Sequence, residues 1–377
     1  MIIKNGFIFC DDGVFRKMDI EAQNGVITAI GDSLPRQNGE SVDAKECYVV
    51  PGLVDIHNHG AMGADFSDGT PEAFEKIARF LLSCGVTSFL GTTMTVPAKQ
   101  LSDVCEIARP LANAIFPDRA VLRGIHLEGP FFSQEKRGAQ NPEYILAPDL
   151  SLFKSLYEAS GENVRLIAVA PEVEGGLEFI KEAARLCTVS VAHSTADYVT
   201  AGCAFSLGAS HVTHLYNGMS PFNHREPGII GAAFDSEAYV EIISDGVHVH
   251  PVIVRAVFEL FGDDRVCLIS DSIRACGLVD GQYDLGGQTV TVVGRTATIE
   301  NNSLAGSVSP LTDCMRRAVE FGVPLTGALK AATINPAKSI GLDAEIGSLS
   351  IGKRADMLVL DQDLRLMHTI FGGAELP

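Results

Sequence analysis

No stretch of the 377 residues approaches the length of a membrane span, and the opening MIIKNGFIFCDDG has too short an apolar run for a secretory segment before it turns acidic. Membrane insertion and export are therefore not expected. Positive charge is scarce: 29 Lys and Arg stand against 47 Asp and Glu, for a net charge of −18 and an isoelectric point near 4.9. Such a field repels nucleic acid and anionic membrane, although a local basic residue can still hold an anionic substrate. The nine cysteines include no CxxC pair, and the odd count argues against a fully paired disulfide framework. A reducing, cytoplasmic compartment is expected. There is also no low-complexity linker and no repeat beyond an alternation of helix-like and strand-like texture.

Apolar residues make up 46% of the chain, ample for burial, and the length suits one large domain plus a smaller one. Residues 1–50 carry short β-favouring runs punctuated by Asn5-Gly6, Asp12-Gly13 and Asn24-Gly25, which are hairpin signals. Residues 345–377 have the same texture, and neither end has strands enough for an independent core. Together they are expected to form one small β-sandwich domain. Between them, residues 51–344 alternate helix and strand. In TPEAFEKIARFLLSCG, Phe74, Ile77, Ala78, Leu81 and Leu82 follow helical spacing, Thr70 can cap, Pro71 suits the first turn and Gly85 can end the helix. Counting GLVDIHNH as the first, eight strands follow one another, the number that closes a (β/α)8 TIM-like barrel. Residues 281–300 read as a β-hairpin inserted after the eighth strand.

On this count His57 and His59 end strand one, Glu128 strand three, His193 strand five, His214 strand six and Asp271 strand eight. All fall at carboxyl ends of strands, where barrel enzymes build their sites. Side-chain alternation places His57 with His59, and sets His211 on the face opposite His214, packed beneath the helices. A lone histidine is more often a satisfied core group than a ligand. Four histidines and two carboxylates on one rim are costly to bury without a partner, and a divalent metal, zinc or iron(II), is the economical one. Such a metal lowers the pKa of bound water from about 15.7 towards roughly 7. Asp271 would then take the water's proton and deliver it to a departing nitrogen.

The motifs PGLVDIHNHG, GIHLEGPF, VAHSTA, VTHLYNGMSPFNHREPG, ISDGVHV, ISDSIRACGL and LAGS occur in one order along the chain. In this the sequence resembles the N-acetylglucosamine-6-phosphate deacetylases of the amidohydrolase superfamily over essentially its whole length. The resemblance implies Glu128, His193 and His214 as principal metal ligands and Asp271 as acid and base. It further implies that Ala139, Gln140, Asn217, Gly218, Arg225, His248, Leu304, Ala305 and Gly306 touch an amino-sugar phosphate, with Arg225 suited to phosphate through forked hydrogen bonds. The neighbouring His224 reads as a solvated loop residue, and His250 lies outside the motif that His248 matches. Gln140 stands where some members carry a histidine that positions the substrate carbonyl. Members that keep the first-strand His-x-His can hold two metals, so one or two are expected here. Many amidohydrolases bridge their metals with a carboxylated lysine on the fourth strand. LIAVAPE offers none, which leaves Glu128 as the natural bridge and Glu172 as a weaker one. A homodimer is implied by the resemblance. The rival readings are the galacto epimer as substrate, a cyclic-amide hydrolase, and a non-catalytic scaffold that would have no need of the ligands it keeps.

Overall fold

The computed structural model describes residues 1–35, 40–300 and 303–376; residues 36–39, 301–302 and 377 of the ranges expected above lie outside the described residues. Eight parallel strands form the central sheet: β1 (Leu53–Asn58), β2 (Val86–Thr93), β3 (Val121–Glu128), β4 (Val164–Val169), β5 (Thr188–Val191), β6 (His211–Val212), β7 (Tyr239–Ile243) and β8 (Val266–Ile269). They pair in chain order, and the Asp271 N–H donates to the His57 carbonyl at 2.9 Å, drawing the last strand back to the first. The result is a nearly closed TIM-like barrel. Strands β1, β2 and β3 are buried at every residue, as expected where helices cover one face and the barrel interior fills the other.

The first barrel helix, Pro71–Ser83, is capped by the Thr70 side chain, which accepts from the Ala73 N–H, and it buries Phe74, Ile77, Leu81 and Leu82. The second barrel helix, Ala98–Ala108, stops two residues ahead of Pro110, which has no N–H to continue the ladder. The stretch LTGALKAATINPAKSIG breaks at Thr333 into Leu325–Ala332 and Ile334–Ser339, just ahead of Pro336. The insertion after β8 holds three antiparallel strands, Gly281–Leu285, Gln288–Val293 and Thr296–Ile299, the third joining the expected hairpin.

The chain ends meet in a separate eight-stranded sheet. Tyr48–Pro51 lies between Ile2–Phe9, to which it is parallel, and Met357–Leu360, to which it is antiparallel. The sheet folds over until the Ile27 and Ala355 N–H groups bond the Lys353 and Gly25 carbonyls, closing it on a core of Ile3, Ile20, Ile27, Val49, Met357 and Ile370. All nine cysteines are free thiols, and among the described residues no helix is long and apolar enough to cross a membrane.

Candidate metal and active site

The barrel strands end in a cavity of about 390 Å³, within the size range of small-molecule sites. Glu128, the last residue of β3, stands at its floor and is almost wholly buried. Its Oε1 lies 2.9 Å from His214 Nε2 and 3.2 Å from His193 Nε2, and those two nitrogens are 3.1 Å apart. Its Oε2 lies 3.2 Å from His59 Nε2, which is 3.3 Å from His57 Nε2. Asp271 Oδ1 completes the ring at 3.4 Å from His59 and 3.5 Å from His57. Two groups of potential ligands thus share one carboxylate: Glu128 with His193 and His214, and Glu128 with His57 and His59.

Whether a cation fits can be judged from the tautomers. His193 Nδ1 donates to the Lys136 carbonyl at 2.8 Å and His57 Nδ1 donates to Glu241 Oε2 at 2.9 Å. In the neutral rings, the His193 and His57 Nε2 atoms therefore present lone pairs to the carboxylate oxygens of Glu128, at 3.2 and 3.6 Å, and of Asp271, at 3.5 Å from His57, an arrangement that a cation or extra protons stabilise. Burial by itself opposes charge on His57, yet Asp271, Glu241 and Glu128 outweigh it and lift this imidazole to about 9. Burial would likewise raise Glu128, but His57, His193 and His214 hold its carboxyl well below the ordinary range. The bare site thus holds protons where a metal would sit, and neutral imidazoles with a carboxylate are the donor set a divalent ion takes.

Local backbone geometry aims these side chains. His193, His214 and Asp271 lie just past the strand ends with φ of 45°, 29° and 46°, in the sparsely populated left-handed region. The turn at His214 also breaks side-chain alternation, so His211 does not pack beneath the helices. Its Nε2 reaches Glu241 Oε1 at 3.2 Å, below the site.

Of the residues expected to touch substrate, Ala139, Gln140, Asn217, Gly218, His248, Leu304 and Gly306 line this cavity. Ala305 is fully buried behind it. Gly218 has φ 59°, and a Cβ there would come within 2.8 Å of His193 Nδ1; Gly306 has φ 55°, and a Cβ would stand 2.9 Å from the Asp271 carbonyl. Only glycine leaves room for both site residues. Gln140 donates to Glu128 Oε2 at 2.6 Å and accepts from the Thr95 N–H at 2.8 Å, so its amide is committed to the glutamate. His248 Nδ1 donates to Asp245 Oδ2 at 2.8 Å; burial opposes its charge, but the Asp245 carboxylate prevails and raises it above the usual imidazole value. Asn217 donates to the His214 and Leu215 carbonyls.

Arg225 is not brought to this cavity. It is exposed and lines a separate surface hollow with Thr195, Tyr198 and Pro221. Glu172 is likewise elsewhere, accepting from Ser194 Oγ at 2.6 Å and from Thr195 Oγ1 at 3.0 Å, which ties β4 to the loop after β5. His250 caps the helix Pro251–Phe261, and His224 is exposed. Sequence reading missed Glu241, His126 and Asp245. His126 packs its ring edge-on against His57 at 4.6 Å, and burial, with the charge of His57, pushes it down to about 3, so it stays neutral. The one available signal for Glu241 was a charge inside the apolar run YVEII of β7.

A model of the amidohydrolase family matches residues 48–375. The chain belongs to the amidohydrolase family. It is 36% identical to the N-acetylglucosamine-6-phosphate deacetylase of Bacillus subtilis, over 99% of this chain and 96% of that one. It is 33% identical to the N-acetylgalactosamine-6-phosphate deacetylase of Escherichia coli O157:H7, over 97% and 96%. Among solved structures, it superposes with a TM-score of 0.93 and 30% identity, over 100% and 98% of the two chains, on a mutant Mycobacterium smegmatis N-acetyl-D-glucosamine-6-phosphate deacetylase in complex with N-acetyl-D-glucosamine-6-phosphate. Membership of the amidohydrolases implies a divalent metal, and the imidazoles and carboxylates at this barrel mouth fit one.

Proposed function

We propose that this amidohydrolase hydrolyses N-acetyl-D-glucosamine 6-phosphate to D-glucosamine 6-phosphate and acetate, in amino-sugar catabolism or cell-wall recycling. The observation that carries the reading is the position of Asp271. Its carboxylate faces the imidazoles gathered round Glu128, at the floor of a cavity sized for a sugar phosphate. Full-length similarity to deacetylases of this name supports it.

Glu128, His193 and His214 would hold the metal, with His57 and His59 available for a second; zinc or iron suits these donors. When bound, the metal supplies a water of lowered pKa and a Lewis acid for the amide carbonyl. Asp271 accepts the proton of the attacking water and returns it to the amine nitrogen as the C–N bond breaks, general base and then general acid. His248, whose Nδ1 is engaged by Asp245 and whose imidazole that carboxylate raises, is placed to offer its Nε2 to a hydroxyl or phosphate oxygen. Gly218 and Gly306 keep the walls open beside His193 and Asp271, while Ala139, Asn217, Leu304 and Ala305 shape the rest of the substrate space. Gln140 orients Glu128 in place of contacting the carbonyl. Arg225 reaches substrate phosphate only after a rearrangement of the 220–227 loop or in a homodimer, the oligomeric state proposed here. The acidic chain with free thiols is assigned to the cytoplasm.

Acetate release tests the reading, measured with N-acetylglucosamine 6-phosphate, its galacto epimer and unphosphorylated N-acetylglucosamine, on protein as purified and after metal removal and restoration. Metal-dependent turnover of the gluco phosphate above the others is expected. Preference for the galacto phosphate would move the assignment to the epimer, a second reading that the Escherichia coli relative supports. No turnover of any of the three by metal-loaded protein would overturn the substrate.

A further inference from the structure

Glu241 lies on β7 with no exposure to solvent, in a barrel interior where an unpaired carboxylate would be costly. It is instead fully engaged. Oε2 accepts from His57 Nδ1 at 2.9 Å and from the backbone N–H of His214 at 3.1 Å, while Oε1 accepts from His211 Nε2 at 3.2 Å. One carboxylate therefore grips a residue from each of the two ligand groups that meet at Glu128, and His211 steadies it from below.

The two grips differ in consequence. At His214 the bond is to the main chain and fixes only where the strand turns. At His57 it is to the ring and fixes which nitrogen carries hydrogen, so that Nε2 faces His59 and Glu128 with a free lone pair. His59 has no comparable support: its Nδ1 is buried without a hydrogen-bond partner among the described residues. The His57, His59 and Glu128 position therefore depends on a single oriented imidazole, whereas His193 is oriented independently by the Lys136 carbonyl.

We infer that Glu241 is a positioning residue that equips the His57, His59 and Glu128 group to hold a second metal ion, by locking His57 in the tautomer that presents Nε2. The inference rests on the proposed metal-dependent reading of the site, and it extends that reading to a residue outside the two ligand groups that share Glu128. Removing the carboxylate should weaken the second ion and spare the first. An outer-shell partner of this kind is worth about 10–100-fold in metal affinity.

The test is calorimetric titration of chelator-stripped protein with Zn²⁺, with stoichiometry checked by elemental analysis. Wild type is expected to take two equivalents, and Glu241→Gln to take the first unchanged and the second about 10–100-fold more weakly. In a His57→Gln background, adding Glu241→Gln should change nothing further, because the carboxylate acts through a ring no longer present. Two unaltered binding events in Glu241→Gln, or a single event in wild type, would overturn the inference. A wild type that takes no metal at all would instead overturn the metal-dependent reading beneath it. Should Glu241→Gln fold poorly, nitrogen NMR of histidine-labelled, zinc-loaded wild type decides the matter: a proton on His57 Nδ1 with Nε2 unprotonated is expected, and a proton on Nε2 with Nδ1 bare refutes the lock.

Discussion

The interior side chains of the terminal sheet and those beneath the cavity of the barrel mouth are alike buried, yet they are of opposite materials. In the sheet, Ile3, Ile20, Ile27, Val49 and Ile370 fill the interior; at the mouth, His57, Glu128, His211, Glu241 and Asp271 are buried as well. Burying an aliphatic side chain favours folding by about 1.5–3 kcal/mol, whereas burying an ionisable one costs free energy until its partners are in place. The first interior exists to hold the chain together. The second is held together by the rest of the chain, through strained turns at His193, His214 and Asp271, a hydrogen bond donated by Gln140, and bonds accepted by the Lys136 carbonyl and the Glu241 carboxylate. Stability and chemistry are thus separated in space, and substitutions should separate them too.

The largest expected effect breaks the chemistry alone. Asp271→Asn should lower acetate release by about 10²–10⁴-fold, the usual worth of a general acid and base, while the melting temperature is unchanged or rises. Parallel turnover and thermal-unfolding measurements check this, and near-native turnover would remove Asp271 from its role. The mirror experiment is Ile20→Ala in the terminal sheet. It should cost about 2–5 kcal/mol in denaturant unfolding through the cavity it leaves, with turnover per folded molecule intact.

A third prediction concerns protons at the mouth. Because His57 is lifted to about 9 in the bare site, a metal must displace a proton there at any lower pH. Metal affinity at that position should therefore fall about tenfold for each pH unit below 9, and proton release on binding should be visible in buffers of differing ionisation enthalpy. The same sign governs the metal-free protein: stabilisation from this raised imidazole is complete below about 6.5 and disappears as pH climbs through 9. Affinity flat across that range would mean that no proton is displaced. The smallest effect is Thr70→Ala, which removes the cap from Pro71–Ser83 and should cost about 1 kcal/mol without touching catalysis.

Much of this was legible in the residues. The helix Pro71–Ser83 announces itself by Thr70, Pro71 and an apolar stripe, because those signals act over one or two turns. Glu128, His193, His214 and Asp271 could be picked out because each follows an apolar strand run, and barrel topology sends such ends to one rim. Legibility failed where the chain leaves regular geometry. Alternation misplaced His211 because it assumes a strand continuing to His214, where the backbone has already turned left-handed. Arg225 carries a motif's chemistry, but its loop is exposed, and nothing local states where an exposed loop points.

The sequence by itself determined the elements, their order, the apolar face of each helix and the residue types gathered at the strand ends, since these depend on periodicity and on chemistry carried by single residues. The tertiary structure alone decided which of those residues meet. That Glu241 of β7 orients His57 of β1 from 184 positions away, and that Gln140 turns its amide to Glu128 rather than into the cavity, follow from barrel closure and from the need of every buried polar atom for a partner. That need is settled by distance in space, which no local pattern records.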